Sequence, residues 1–90
     1  MRLGLSERAR DDLARIWDFN LQRSERWAEK VQLRLIERAM ALLVAPHTGP
    51  QITKAGIRRL SVPDIQYVID YQPFDDFITV VRIRSTREIR

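Results

Sequence analysis

GIRRLSVPDIQYVIDYQPFDDFITVVRIRSTREIR, residues 56–90, decides the fold. Its β-branched and aromatic runs are separated by two breaks containing proline and aspartate, the pattern of strands joined by turns. Ile57 to Val62 reads as one strand, Pro63-Asp64 as a turn and Ile65 to Tyr71 as the next strand. Gln72 to Asp76 reads as a second turn and Phe77 to Arg84 as the last strand. Side chains alternate along a strand, so Ile65, Tyr67, Ile69 and Tyr71 share one face, and Gln66, Val68 and Asp70 the other. Links this short favour a meander of antiparallel neighbours. Phe77, Ile78, Val80 and Val81 break strict alternation, which predicts a central strand covered on both faces. The meander offers that strand no second neighbour, so a segment from elsewhere must pair on its far side.

Working outward, APHTGP (Ala45 to Pro50) stops a helix and turns the chain. The helix it stops starts near Ser24, with an apolar stripe of Trp27 or Ala28, Val31, Leu35, Ala39 and Leu42 or Leu43. Before it, Ala9, Leu13, Ile16 or Trp17, and Asn20 or Leu21 recur at helical spacing and predict a helix ending near Gln22 to Ser24. Ser6 is its candidate N-cap, and Glu7, Asp11 and Asp12 suit the positive end of the helix dipole. Alanine at position 9 rules out a full capping box. A connection of a few residues makes the two helices an antiparallel hairpin. Arg2 to Leu5 reads as a short strand, the candidate partner for the far side of the last one. The fold class expected is α+β: one domain over residues 1–90, with a helical hairpin packed on one face of a small, mainly antiparallel sheet.

Composition narrows the function. Sixteen Lys and Arg stand against twelve Asp and Glu, a formal charge of +4, and 44% hydrophobic content excludes a disordered chain. Cysteine is absent, which excludes disulfides, a thiolate nucleophile and a cysteine metal site. The opening carries no apolar run followed by a cleavage site, and no window approaches a membrane span, so a cytoplasmic protein is expected. The single histidine, His47, sits in a turn, and the carboxylates are scattered, so neither metal nor cofactor is expected. No phosphate-binding glycine loop or nucleophile-elbow motif is present.

The arginines are the informative residues. Arg58, Arg59, Arg82, Arg84, Arg87 and Arg90 lie on or just beyond the paired strands. Arg58 and Arg59 are adjacent and leave on opposite faces, whereas Arg82 and Arg84 share one. With Lys54 they number seven against five carboxylates in the same half: Asp64, Asp70, Asp75, Asp76 and Glu88. Salt bridges to those carboxylates, or to helical Glu, are the structural alternative to a surface aimed at an anion. Metal-free ribonuclease chemistry would need groups to move protons as well as cations. Tyr67 and Tyr71 share their face with Ile65 and Ile69 and so read as core, and His47 lies outside this half. No catalytic residue is therefore assigned. Trp17 and Trp27 read as helix-packing residues and Phe74 as an exposed turn aromatic, while Leu3 and Leu5 suit an apolar groove for a partner helix.

The whole chain resembles small toxins of the RelE/ParE superfamily, in the ParE-like (plasmid stabilisation) branch. The matching pieces are LSERARDDLARIWDFNLQR (Leu5 to Arg23), LLVAPHTGP (Leu42 to Pro50), GIRRLSV (Gly56 to Val62), YVIDYQ (Tyr67 to Gln72) and DFITVVRIRSTREI (Asp76 to Ile89). The order of A-x-x-D-L-x-x-I, L-x-x-x-P-x-x-G, RRL and a hydrophobic-arginine strand is the specific signal. The resemblance implies a βααβββ fold and the toxin half of a type II toxin–antitoxin pair. It also implies a hetero-oligomer with a DNA-binding antitoxin, whose C-terminal segment covers apolar and basic surface. Two targets occur in the superfamily: DNA gyrase for ParE-like members, and ribosome-bound messenger RNA, which is cleaved, for RelE-like ones. Ser85 stands where the superfamily often has histidine, and no tyrosine follows Tyr71, which favours gyrase inhibition over ribonuclease action on mRNA. The residues expected to meet the target are Arg58, Arg59, Arg82, Arg84 and Arg87. Those expected to meet the antitoxin are Leu3, Leu5, Trp17, Arg82 and Arg84.

Overall fold

The computed structural model describes residues 1–89; Arg90 lies outside the described residues. In chain order the elements are β1 (Arg2–Leu5), α1 (Glu7–Leu21), α2 (Glu25–Ala41), β2 (Arg58–Val62), β3 (Tyr67–Pro73) and β4 (Phe77–Ser85). The four strands form one sheet in the order β1-β4-β3-β2. β2, β3 and β4 are the expected antiparallel meander, and β1 fills the far side of β4, running parallel to it. No helix among the described residues is long and apolar enough to cross a membrane.

Two serines start the helices. The Ser6 hydroxyl accepts from Ala9 N at 3.0 Å and the Ser24 hydroxyl from Trp27 N at 3.0 Å. Each satisfies a helix-end N–H that would otherwise lack a partner, worth about 1 kcal/mol. The inward faces of the helices, Ala9 and Ile16 with Val31, Leu35, Ala39 and Leu42, pack on one face of the sheet. That face presents Leu60, Val62, Tyr67, Ile69, Tyr71, Ile78, Val80 and Ile83, and both tyrosines sit in the core as their alternation requires.

Three local differences from the expected pattern have physical causes. Asp70 pairs with Arg82 but the next residue, Tyr71, pairs with Val80, which leaves Val81 as an extra residue on β4. This β-bulge shifts the inward set from Ile78 and Val80 to Ile83. The broken alternation thus comes from the bulge; β4 is central, but the helices cover only one of its faces. The second difference is the turn between β2 and β3, which takes Pro63 to Gln66. Gln66 adopts φ 60°, so β3 begins at Tyr67 and Ile65 is buried from the turn. Third, β3 continues through Pro73, opposite Ile78. Because β2 stops opposite Tyr71, the missing proline N–H faces no neighbouring strand.

The connection from α2 to β2 is clamped to the sheet. The Tyr71 hydroxyl donates to Pro46 O at 2.8 Å and accepts from Gly49 N at 3.0 Å. A Cβ at Gly49 would lie 2.4 Å from Arg59 O, whereas one at Gly4 would find its nearest neighbour at 4.0 Å. Gly49→Ala is therefore expected to cost about 2–3 kcal/mol in denaturant unfolding and Gly4→Ala less than about 0.5. Equal losses in the two variants would contradict the clamp.

Candidate functional site

The arginines of the sheet are organised by two buried aspartates. Asp12 lies between Ala9 and Ile16 on the buried stripe of α1. Its Oδ2 accepts from Ile83 N at 2.8 Å and from Arg82 Nε at 2.9 Å, and its Oδ1 from Arg15 Nη2 at 2.9 Å. Burial pushes the Asp12 pKa up, but the bonds from Arg82, Ile83 and Arg15 outweigh it and hold the carboxyl below its ordinary value. Arg15 also reaches Glu88 at 3.4 Å, and Glu88 Oε1 accepts from Ser85 N at 3.3 Å. The role expected of Asp12 was an interaction with the helix dipole; its spacing of three and four residues from Ala9 and Ile16 was the signal that it points inward.

Asp70 does the same work on the sheet face that the helices leave open. It accepts from Arg59 Nε at 2.7 Å, Arg59 Nη2 at 3.0 Å and Arg84 Nη2 at 3.0 Å. Arg59, Asp70 and Arg82 are register neighbours across three strands, so this cluster follows from the strand pairing. Asp70 and Val68 are only 4% and 3% exposed on this open face, a burial consistent with arginine stems lying along the sheet beside them. Arg84 Nε is buried without a hydrogen-bond partner among the described residues. The side chains of Arg59, Arg82 and Arg84 remain 27%, 22% and 25% exposed, so each guanidinium both holds an aspartate and reaches solvent.

The other two strand-region arginines lie elsewhere. Arg58 leaves on the opposite side and donates to Gly49 O at 2.7 Å, part of the clamp on the 45–50 connection. Arg87 is exposed beyond β4, and neither it nor Arg58 has a carboxylate partner among the described residues. Arg59, Arg82 and Arg84 are thus brought together; Arg58 and Arg87 are not in that cluster. Leu3 and Leu5 line an apolar groove of about 230 Å³ with Leu13, Ile36, Ala39 and Val80. Trp17, half-buried one turn beyond Leu13 on α1, is not part of its lining. No group of histidine, aspartate and glutamate that could hold a metal ion occurs among the described residues.

A helical hairpin on a mixed four-stranded sheet, with an apolar groove beside β1 and an arginine-rich open face, defines a small α+β domain of the RelE/ParE fold. The model of the family described as the ParE toxin of the type II toxin–antitoxin system parDE matches residues 3–90, and the chain belongs to that family. The fold is shared with a solved chain described as the chromosomal ParDE TA system from P. aeruginosa. The two are 22% identical with a TM-score of 0.80, over 94% of this chain and 95% of that one. A comparison with curated proteins found no match.

Asp12 gives the site a pH signature. Its folded-state pKa lies below the unfolded value of about 3.9, so its contribution to stability is complete above about pH 4. That contribution is lost as pH falls through the folded-state value. Asp12→Asn is expected to cost about 3 kcal/mol at neutral pH. It should also flatten the acid limb of the stability–pH curve measured by urea unfolding. An unchanged acid limb would contradict the buried ionised carboxylate.

Proposed function

We propose that this chain is the toxin of a type II toxin–antitoxin pair, that it inhibits DNA gyrase in the cytoplasm, and that a ParD-like antitoxin neutralises it in a hetero-oligomer. The observation that carries the reading is the fixed arginine cluster of Arg59, Arg82 and Arg84 on the open face. Its guanidiniums are oriented by Asp12 and Asp70, so a macromolecular partner meets a rigid pattern of donors. Membership of the ParE toxin family supports gyrase as that partner. The Tyr71 hydroxyl donates to Pro46 O and accepts from Gly49 N, so its proton is already engaged in the fold. This suits a holding surface better than the proton transfers of RNA cleavage.

The antitoxin is assigned to the groove beside β1. An amphipathic segment would place apolar side chains among Leu3, Leu5, Leu13 and Ile36, and acidic ones toward Arg15 and Arg82 on the neighbouring surface. Its acidic character follows from the chain's charge of +4. Trp17, outside the groove and one turn beyond Leu13 on α1, is a further antitoxin contact in this reading.

Purified gyrase is expected to lose supercoiling activity in the presence of the chain, while ribosome-bound messenger RNA stays intact in a parallel assay. Cleaved messenger RNA with normal supercoiling would overturn the gyrase reading in favour of the ribonuclease. Glutamate at Arg82 or Arg84 would face Asp12 or Asp70 and so test folding first, whereas Arg87, beyond the cluster but among the arginines expected to meet the target, is exposed and has no carboxylate partner among the described residues. Arg87→Glu is expected to weaken gyrase inhibition by about tenfold without shifting the unfolding midpoint. Ile36→Glu, at a position 47% exposed, is expected to weaken antitoxin binding by at least about tenfold and leave gyrase inhibition intact. Antitoxin affinity unchanged in Ile36→Glu would move the antitoxin to another surface.

A further inference from the structure

A cleft of about 320 Å³ opens between the tip of the helical hairpin and the end of the sheet, apart from both the apolar groove and the open face. Its floor is polar and buried: Asn20 and Tyr67 are each only 6% exposed. Asn20 is fully committed. Its amide donates to Ile16 O at 2.8 Å and to the Tyr67 hydroxyl at 3.0 Å, and its Oδ1 accepts from Trp27 Nε1 at 2.9 Å. Tyr67 is not. Its hydroxyl is used as an acceptor, and its own proton has no acceptor among the described residues. That proton is available to an acceptor that enters the cleft.

The walls favour an anion. Arg23 is held with its guanidinium carbon 4.1 Å from the centre of the Trp27 ring, and Arg87 lines the cleft with it. Neither forms an ion pair among the described residues. The acidic rim residue, Asp64, is already bound by Arg34 at 2.8 Å, so it leaves that positive potential standing. Ser85 lines the cleft as well and offers a further hydroxyl. Gln66, on the rim, is the non-glycine residue with positive φ among those described, a strained backbone of the kind that collects at ligand sites. The Trp27 ring is occupied by Arg23 and by Lys30, whose Nζ lies 5.3 Å from its centre. Phe19, 63% exposed at the same rim, is the aromatic surface free for a flat group.

We propose that this cleft binds a nucleoside monophosphate. The phosphate accepts from Tyr67 O–H, Arg23 and Arg87, and the base stacks on Phe19. The site is a ligand site beyond the gyrase and antitoxin reading, and its test needs neither partner. Adenosine monophosphate, inorganic phosphate and adenosine are titrated into the intact chain at constant ionic strength, following the Trp27 indole N–H in ¹H–¹⁵N spectra. Trp17→Phe identifies that signal. The monophosphate is expected to move it saturably, with inorganic phosphate and adenosine each at least about tenfold weaker. Tyr67→Phe and the double variant Arg23→Gln/Arg87→Gln are each expected to weaken the monophosphate by about ten- to hundredfold. The unfolding midpoint of each variant checks that the fold survives, and the conservative Arg23→Lys/Arg87→Lys pair is expected to restore part of the affinity. No saturable shift with the monophosphate overturns the site, as does affinity unchanged in both sets of variants. Adenosine binding as tightly as the monophosphate overturns the phosphate assignment, and inorganic phosphate binding as tightly overturns the nucleoside one.

Discussion

The free edge of β4 is the constraint on which the rest of this molecule depends. β1 pairs with Phe77 to Val80 and then ends, so beyond Val80 the edge of β4 turned away from β3 has no strand beside it among the described residues. The chain repairs this with the start of α1. Ser6 N donates to Val80 O at 2.9 Å, and the Ser6 hydroxyl donates to the carbonyl of the bulged Val81 at 2.9 Å. Two turns on, Asp12 accepts from Ile83 N. One helix terminus therefore substitutes for the missing part of a strand, satisfying backbone groups that would be expensive to bury unpaired. The same contacts fix where α1 lies against the sheet, and hence where α2 and the core lie.

The arginine pattern follows from that repair. A carboxylate placed at a buried strand edge must be paired or give up its charge. Arg82 and Arg15 keep Asp12 ionised, just as Arg59 and Arg84 neutralise Asp70 on the open face. Magnitudes separate these pairs from the surface ones. Breaking a buried pair costs about 3–5 kcal/mol, whereas an exposed pair such as Arg34 with Glu37 is screened by solvent and contributes little. Charge in this sheet is thus first a folding device. Its display to a partner is a consequence, because a guanidinium that spends two donors on a carboxylate still has others to offer.

The sequence was readable where one period dominates. Alternation through Tyr67, Ile69 and Tyr71 set the core face of β3, and the short links set the meander. Ser6 and Ser24 marked both helix starts, and the unfilled side of β4 pointed to the N-terminal strand. It was unreadable where a single residue departs from the period. Val81 adds one position to β4, so its apolar residues looked two-sided. Gln66 takes the left-handed conformation without being glycine, so the turn looked two residues shorter than it is. The arginines were found by composition and Asp70 was among the partners expected for them, but Asp12 was not, because it is 70 residues from Arg82 in the chain. The seven-to-five charge count within one half could not include a carboxylate from α1. Trp17 was grouped with Leu3 and Leu5 by apolar character alone, and only the packing of α1 against the sheet separates them.

This 90-residue chain leaves one side of its core partly open, and that side carries meaning. Leu3, Leu5 and Leu13 pack against the core yet stay half-buried, and Leu35, Ala39 and Ile83 behind them line the same groove. A partner seated there would add a missing layer to the core as well as cover a surface. Binding and folding are then linked: any ligand specific to the native groove raises stability in proportion to the logarithm of its concentration over its dissociation constant. The polar side of the molecule behaves differently. Asp12 and Asp70 already hold Arg59, Arg82 and Arg84 in place, so that cluster can stay rigid without a partner. An incomplete apolar side and a pre-oriented arginine cluster give one small domain two surfaces of different character, the first gaining stability when covered and the second holding its pattern of charge uncovered.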